Sequence, residues 1–437
     1  MINIINFSAF YELLLGVSDM NHQAKSLDAT RPDPWRSRLL RYSALFGPGI
    51  MVMLADTDVG SVVTAAQSGV EWRYQMILPQ LILIPMLFVI QEMTVRLGIF
   101  TGKGHGELIR ERFGRGWAWL SVSTLFLSVV GALITEFAGI AGVGSLIGLP
   151  PWISVSIATL ALIAIGVSGR YQRVEWIGIA LGSLELAFFV TAIMAHPALP
   201  QVARGLVTMP VSNPRYVFLL AANVGAVIMP WMIFYQQGAI IDKRWDQSHV
   251  KAARWDTGIG SIITQLLMIA VVLTTAATLG HENLGSLQSI VQIANALTSV
   301  MGTTAGRLIF GAGILGAGFV AALVASIAGS WGIGEAFGIK HSLNHKFREA
   351  PAFYLIYTLA HVLGAIMVIA SIDLVQLTID VEVMNAMLLP VVLGFLLLLE
   401  ARVLPPAHRM HGGYRLMVWT LSGIVMAFGL YMIAAFL

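Results

Sequence analysis

The chain has 437 residues, 57% of them hydrophobic and 11% charged, with a formal net charge of +3. A soluble domain carries roughly 25% charged residues, so an ordinary water-soluble fold is excluded, and so small a charge excess gives no footing for a nucleic-acid partner. The absence of cysteine also excludes disulfides, thiolate metal sites and thiol catalysis.

Residues 1–44 divide into an apolar start, Ile2 to Val17, and a polar stretch containing proline. Neither a basic n-region nor a small-residue cleavage site is present, so this part reads as a cytoplasmic segment with an interfacial helix, not as a signal peptide. Beyond it, apolar runs near the roughly 20 residues that span a bilayer recur to the C-terminus. They lack the period-two alternation of barrel strands. The predicted helices are 45–69, 75–100, 117–147, 151–168, 174–195, 216–241, 257–280, 303–334, 350–371, 380–400 and 414–437. With the N-terminus inside, 22 of the 26 Lys and Arg residues fall in cytoplasmic segments. Arg73, Arg204, Arg215 and Arg307 fall outside, a bias that predicts an external C-terminus.

The first predicted span, GPGIMVMLADTDVGSVVTAAQSG from Gly47 to Gly69, places Asp56, Asp58 and Gly60 in the middle of an apolar segment. A carboxylate at bilayer depth is costly without a cavity, partner or ion, which makes this interrupted helix a candidate cation site. The sixth span carries Met229-Pro230 at its centre, where proline removes a backbone hydrogen bond and predicts a second break. Two interrupted segments at matching positions of successive five-helix halves, 45–195 and 216–400, point to an inverted-repeat secondary transporter whose broken helices meet at the midplane. Residues 401–437 form a loop and an eleventh, appended helix.

Several stretches carry a family resemblance. Gly47-Pro48-Gly49 with Asp58-Val59-Gly60-Ser61, Met229-Pro230-Trp231, and above all RLGIFTGKGHGELIRERFG from Arg96 to Gly114 resemble the NRAMP family of divalent-metal transporters, from about Leu45 to the tenth helix. The resemblance implies an all-α, LeuT-like integral membrane fold of eleven helices in a 5+5 inverted repeat, with helices 1 and 6 interrupted. It implies ion contacts at Asp58, at Ser61 in place of the family's asparagine, at the carbonyls of Ala55 and Ala226, and at Met229. The family's helix-six histidines fall at Trp231 and Gln236, and its helix-three aspartate at Leu133, while the neighbouring glutamate is kept as Glu136.

The departures point one way. Serine for asparagine removes a carbonyl ligand and makes room, and Asp56 adds an acid beside Asp58, which suits a magnesium ion that keeps several waters. Loss of the histidines and the aspartate removes the obvious proton relay. The pattern resembles the prokaryotic NRAMP-related magnesium transporter clade. The expectation is a plasma (inner) membrane carrier for Mg²⁺, passing Mn²⁺ but not Ca²⁺, working by alternating access without tight proton coupling. It has no cofactor, no enzymatic activity and no obligate protein partner. Met229, a soft thioether, speaks for transition metals and keeps a proton-coupled Mn²⁺/Fe²⁺ importer as the alternative. A non-transporting metal sensor on the same fold is the reading from another class.

Each residue also has a plainer role open to it. Asp58 can cap a helix at the break. Asp56 either touches the ion, directly or through water, or faces the outer vestibule. Ser61 can bond a helix carbonyl, and Met229 and Trp231 can simply pack. Glu136 lines a water path or pairs with a basic loop residue. Gln236 and Asn385 line the vestibule or join helices.

Overall fold

A computed structural model describes residues 48–168, 183–280, 286–339, 347–371 and 373–436. The expected N-terminal interfacial helix and the first part of the fifth predicted span lie outside these residues. Every regular element among them is helical.

The first span is interrupted as expected. Helix α1, Pro48–Asp56, stops at Thr57, and α2, Val59–Trp72, starts one residue after the extended Asp58, whose carboxylate accepts the Ser61 N–H as an N-cap. Aspartate suits that position because its oxygen replaces a carbonyl that the first turn lacks. A 3-10 turn, Arg73–Met76, leads into α3, Ile77–Thr101. Then come the short α4, His105–Phe113, and the long α5, Arg115–Leu146. Helix α6, Pro151–Val167, follows, and then α7, Ala187–Met194, and α8, Leu199–Gly205. The sixth span is also two helices, α9, Pro214–Val227, and α10, Pro230–Asp242, the second starting on its proline, where a missing N–H costs nothing. The remainder comprises α11, Val250–Thr278, α12, Ile290–Met301, α13, Thr303–Phe337, α14, Pro351–Ala370, α15, Leu374–Val403, and α16, Gly412–Phe436.

Among the described residues, eight helical runs are long and apolar enough to cross a membrane, and α6 is a shorter apolar helix. One of these runs, Val59–Thr101, is two helices joined at the 3-10 turn. The directions of α1 and α3 follow from their contacts with α11. Gly49 N–H donates to Asp256 near the start of α11, and Thr264 Oγ1 donates to the Met53 carbonyl further along, so α1 runs parallel to α11. Helix α3 runs the other way, since Arg73, just before it, bonds the Gly280 carbonyl beyond the end of α11, while Glu92 pairs with Arg254 near its start.

Two contacts fix α15 against its neighbours. Helix α9 lies directly on α15, and a methyl group at Gly225 would overlap the Glu382 carbonyl, so only glycine permits that approach. At one end of the bundle the buried Arg96 spans Glu92, 3.1 Å, and Glu400, 3.2 Å, and donates to the His408 carbonyl. Glu92 also accepts from Tyr414 Oη, and Glu400 from the Met410 N–H. Helix α16 is thus tied to α3 and α15 by a polar network, and removing one member would leave the others buried without a partner.

Candidate functional site

The two breaks meet. Proline 230 has no N–H, so the Ala226 carbonyl four residues earlier loses its helical donor. The Ser61 hydroxyl takes that place, lying 2.9 Å from the Ala226 oxygen and 2.9 Å from the Asp56 carbonyl. With one proton to give, it serves one carbonyl at a time.

A second carbonyl is freed on α1. The Val59 N–H, four residues after Ala55, is directed to Glu136 Oε2 at 3.2 Å, leaving the Ala55 oxygen outside the helical ladder. Asp58 uses Oδ1 for its cap on Ser61, at 2.6 Å, while Oδ2 has no hydrogen-bond partner; both carboxylate oxygens of Asp56 have none either. Asp56, Asp58 and Ser61 are all buried. Buried carboxylate oxygens without donors are expensive, and a proton, a cation or a cation's water would each relieve that cost.

Glu382, on α15, was missed by sequence reasoning. It is fully buried, its Oε2 accepts from Asn385 Nδ2 at 3.0 Å, and its Oε1 has no partner. A methyl at Gly60 would overlap that Oε1 and sit 3.3 Å from Asp58 Oδ1, so Gly60 is the opening through which Glu382 approaches the Asp58 cap. An acid inside the tenth apolar span, inward of Asp380 and Glu400 at its two ends, was the available signal.

The other expected residues divide. Glu136, held by Val59 N–H and by Thr135 Oγ1, stands beside the first break. Met229 is at the second break, and its thioether accepts from Trp231 Nε1 at 3.2 Å. Asn385 is joined to the site through Glu382, and its oxygen accepts from Ser128. Gln236 sits about two turns along α10, where it accepts from Thr94 and donates to Thr257 at 2.9 Å, so it binds helices together.

Asp56, Asp58, Glu136 and Glu382 are acids, and none has a basic partner among the described residues. No three His, Asp or Glu side chains there are gathered as a metal-ligand cluster. An ion at the breaks would therefore be held by a mixed set, with one or two carboxylates, the Ser61 hydroxyl and the freed carbonyls of Ala55 and Ala226. Outside this centre, Arg215 at the start of α9 forms a two-pronged ion pair with Glu71 near the end of α2. The opposite end of α1 is capped by Asp256, which accepts from the N–H groups of Gly49, 2.8 Å, and Ile50, 3.3 Å.

Comparison with known proteins places this geometry. A family model described as Natural resistance-associated macrophage protein-like matches residues 49–435. A protein of Klebsiella pneumoniae described as divalent metal cation transporter MntH is 28% identical over 299 residues, 65% of this chain and 70% of that one. In three dimensions the chain resembles the Eremococcus coleocola manganese transporter, with a TM-score of 0.73 at 20% identity over 94% of this chain and 89% of the other. It also resembles a Na⁺-coupled sialic acid symporter, with a TM-score of 0.63 at 12% identity and 88% coverage of both. These structural neighbours share the LeuT fold.

Proposed function

The chain belongs to the NRAMP family, and from that premise we propose that it is a divalent-metal transporter of the plasma (inner) membrane of a prokaryote. Its cargo is Mg²⁺, with Mn²⁺ also carried. The curated relatives' description as divalent metal cation transporters supports the substrate class. Transport proceeds by alternating access on a 5+5 repeat of eleven helices, with the N-terminus inside and the C-terminus outside.

The observation that carries the choice of ion is the junction of Ser61 with Ala226. It supports an oxygen-lined seat beside Asp58 and Asp56, and the Met229 sulfur accepting from the Trp231 indole supports the same reading. Oxygen donors and one or two carboxylates suit a magnesium ion that retains water, and they are too few for Ca²⁺, which takes six to eight oxygens. No histidine stands at either break, so the side chain that ordinarily titrates near neutral pH is missing from both segments. The membrane potential, about 2.3 kcal/mol per charge per 100 mV, is sufficient to drive a divalent cation inward.

A proton-coupled Mn²⁺/Fe²⁺ importer is favoured by one observation, the buried carboxyls of Glu136 and Glu382 beside the breaks. Proteoliposomes separate the two readings when Mg²⁺ and Mn²⁺ uptake are measured alongside internal pH, for wild type and Asp58→Ala. The proposal expects Mg²⁺ entry without acidification and its loss in Asp58→Ala. Mn²⁺ entry with acidification and no Mg²⁺ entry would overturn it.

A further inference from the structure

A groove of 390 Å³ opens where α4, α5 and the end of α13 come together, remote from both helix breaks. Arg110 and Arg115 line it together with Trp119, Val122 and Phe337. Arg110 Nη1 lies 3.4 Å from the Ala336 carbonyl, at the negative end of α13. Arg115, the exposed first residue of α5, has no hydrogen-bond or ion-pair partner among the described residues. The acids nearby are engaged elsewhere. Glu111 and Glu107 face Lys103, at 2.6 and 4.0 Å, and the buried Glu335 accepts the Gly106 N–H. The groove therefore presents two guanidinium groups with their charge largely unspent.

Away from the arginines the same surface is apolar. Arg115, Trp119, Val122 and Phe126 recur at helical spacing and share one face of α5. Trp119 is 57% exposed, packs edge-on against Phe337 at 4.7 Å, and is followed down the face by the 40% exposed Phe126. Exposed tryptophan at the end of a spanning helix marks the headgroup level of a bilayer. A forked cation pair at that level recognises phosphate, and an apolar wall running from it toward the membrane interior adds nothing for a free anion but accommodates an acyl chain. Basic pockets between spanning helices are a known physical basis for holding anionic headgroups.

We propose that this groove is a binding site for an anionic phospholipid, with its phosphate between Arg110 and Arg115 and an acyl chain along Trp119, Val122 and Phe126. The site shares no residue with the metal centre.

The test is native mass spectrometry of the full-length protein in neutral detergent, titrated with phosphatidylglycerol or phosphatidylcholine. Wild type is expected to retain phosphatidylglycerol at a concentration at least tenfold lower than phosphatidylcholine. The Arg110→Gln/Arg115→Gln protein should lose that preference, and Trp119→Ala should weaken retention several-fold. Arg112→Gln, an exposed arginine that does not line the groove, should leave it unchanged, and millimolar inorganic phosphate should not displace the lipid. If the double variant fails to elute as a monodisperse protein, the single exposed Arg115→Gln serves in its place with the same expectation. Equal retention of the two lipids, a preference that survives loss of the arginines, an equal effect of Arg112→Gln, or no effect of Trp119→Ala would each overturn the proposal. Full displacement by phosphate would overturn it in favour of a free anion.

Discussion

Ser61 and Ala226 are 165 residues apart in the chain and 2.9 Å apart in the fold, where a hydroxyl supplies the hydrogen bond that proline withholds. The contact joins the two interrupted helices directly. Ser61→Ala leaves the carbonyl bare, and losing such a bond costs about 1 kcal/mol. Mg²⁺ uptake should fall by roughly tenfold through the lost oxygen ligand. Ser61→Asn should shift preference from Mg²⁺ toward Mn²⁺. Uptake kinetics for both ions measure this, and an unchanged ratio in Ser61→Asn would refute it.

The opening at Gly60 makes a second expectation. Gly60→Ala forces a methyl against Glu382 and should destabilise the protein by about 1–3 kcal/mol, the range for overpacking a tight core. Combining it with Glu382→Ala should recover most of that loss, because the two changes act on one contact and are not additive. Thermal unfolding of the two single variants and the double variant reads the coupling; additive losses would show that the two residues do not oppose each other. Glu382→Gln, which keeps the shape, should weaken apparent ion affinity at least tenfold if its charge serves the site.

The outcome for these residues shows what sequence reasoning reaches. Both breaks were legible because their causes are local: proline without an N–H, and aspartates inside an apolar run. Helices α3, α5, α14 and α16 begin and end within two residues of expectation, whereas α11 and α15 begin seven and six residues earlier than expected and the short α4, α8 and α12 were not expected. Glu382 was not legible, since nothing local separates it from Asp380 and Glu400 on the same helix, and its meaning comes from a glycine more than 300 residues earlier in the chain. For Gln236 the sequence left two roles open, vestibule lining and a tie between helices. The partners that make it a tie between helices, Thr94 and Thr257, lie on two other elements that no spacing rule connects to it.

Asp256 caps α1 from a distance. Asp256→Ala removes acceptors from two N–H groups at a helix start and should lower stability by about 1–2 kcal/mol. It should also loosen α1 from α11. The chain has no cysteine, so a single cysteine at Ile50 reports this cleanly. Its labelling by a water-soluble maleimide should speed up in the Asp256→Ala background, and equal rates would contradict the capping role.

His105 gives a pH dependence. It is fully buried on α4, outside the spanning helices, with Nδ1 3.2 Å from Gln237 Oε1, and burial pushes its pKa down to about 4 from 6.5. The folded protein therefore refuses a proton that the unfolded chain accepts. Its contribution is full above pH 6.5 and is lost as pH falls from there toward 4, by at most about 1.4 kcal/mol per pH unit. Melting temperatures at pH 7.5 and 5.5 should differ more in wild type than in His105→Asn, and parallel shifts would exclude this histidine as the cause.

The imino nitrogen of Pro230 has one more implication. Because the vacancy opposite Ala226 is covalent in origin, no movement of the helices can abolish it, and that oxygen seeks a donor or a cation at every stage of a transport cycle. Ser61 then acts as a place-holder. Its single hydroxyl proton is within reach of both the Asp56 and the Ala226 carbonyls, so turning it to Asp56 would free the Ala226 oxygen for a cation and turning it back would cover that oxygen again. On the proposed transport reading, an unloaded carrier would thereby be spared a bare acceptor in its buried centre.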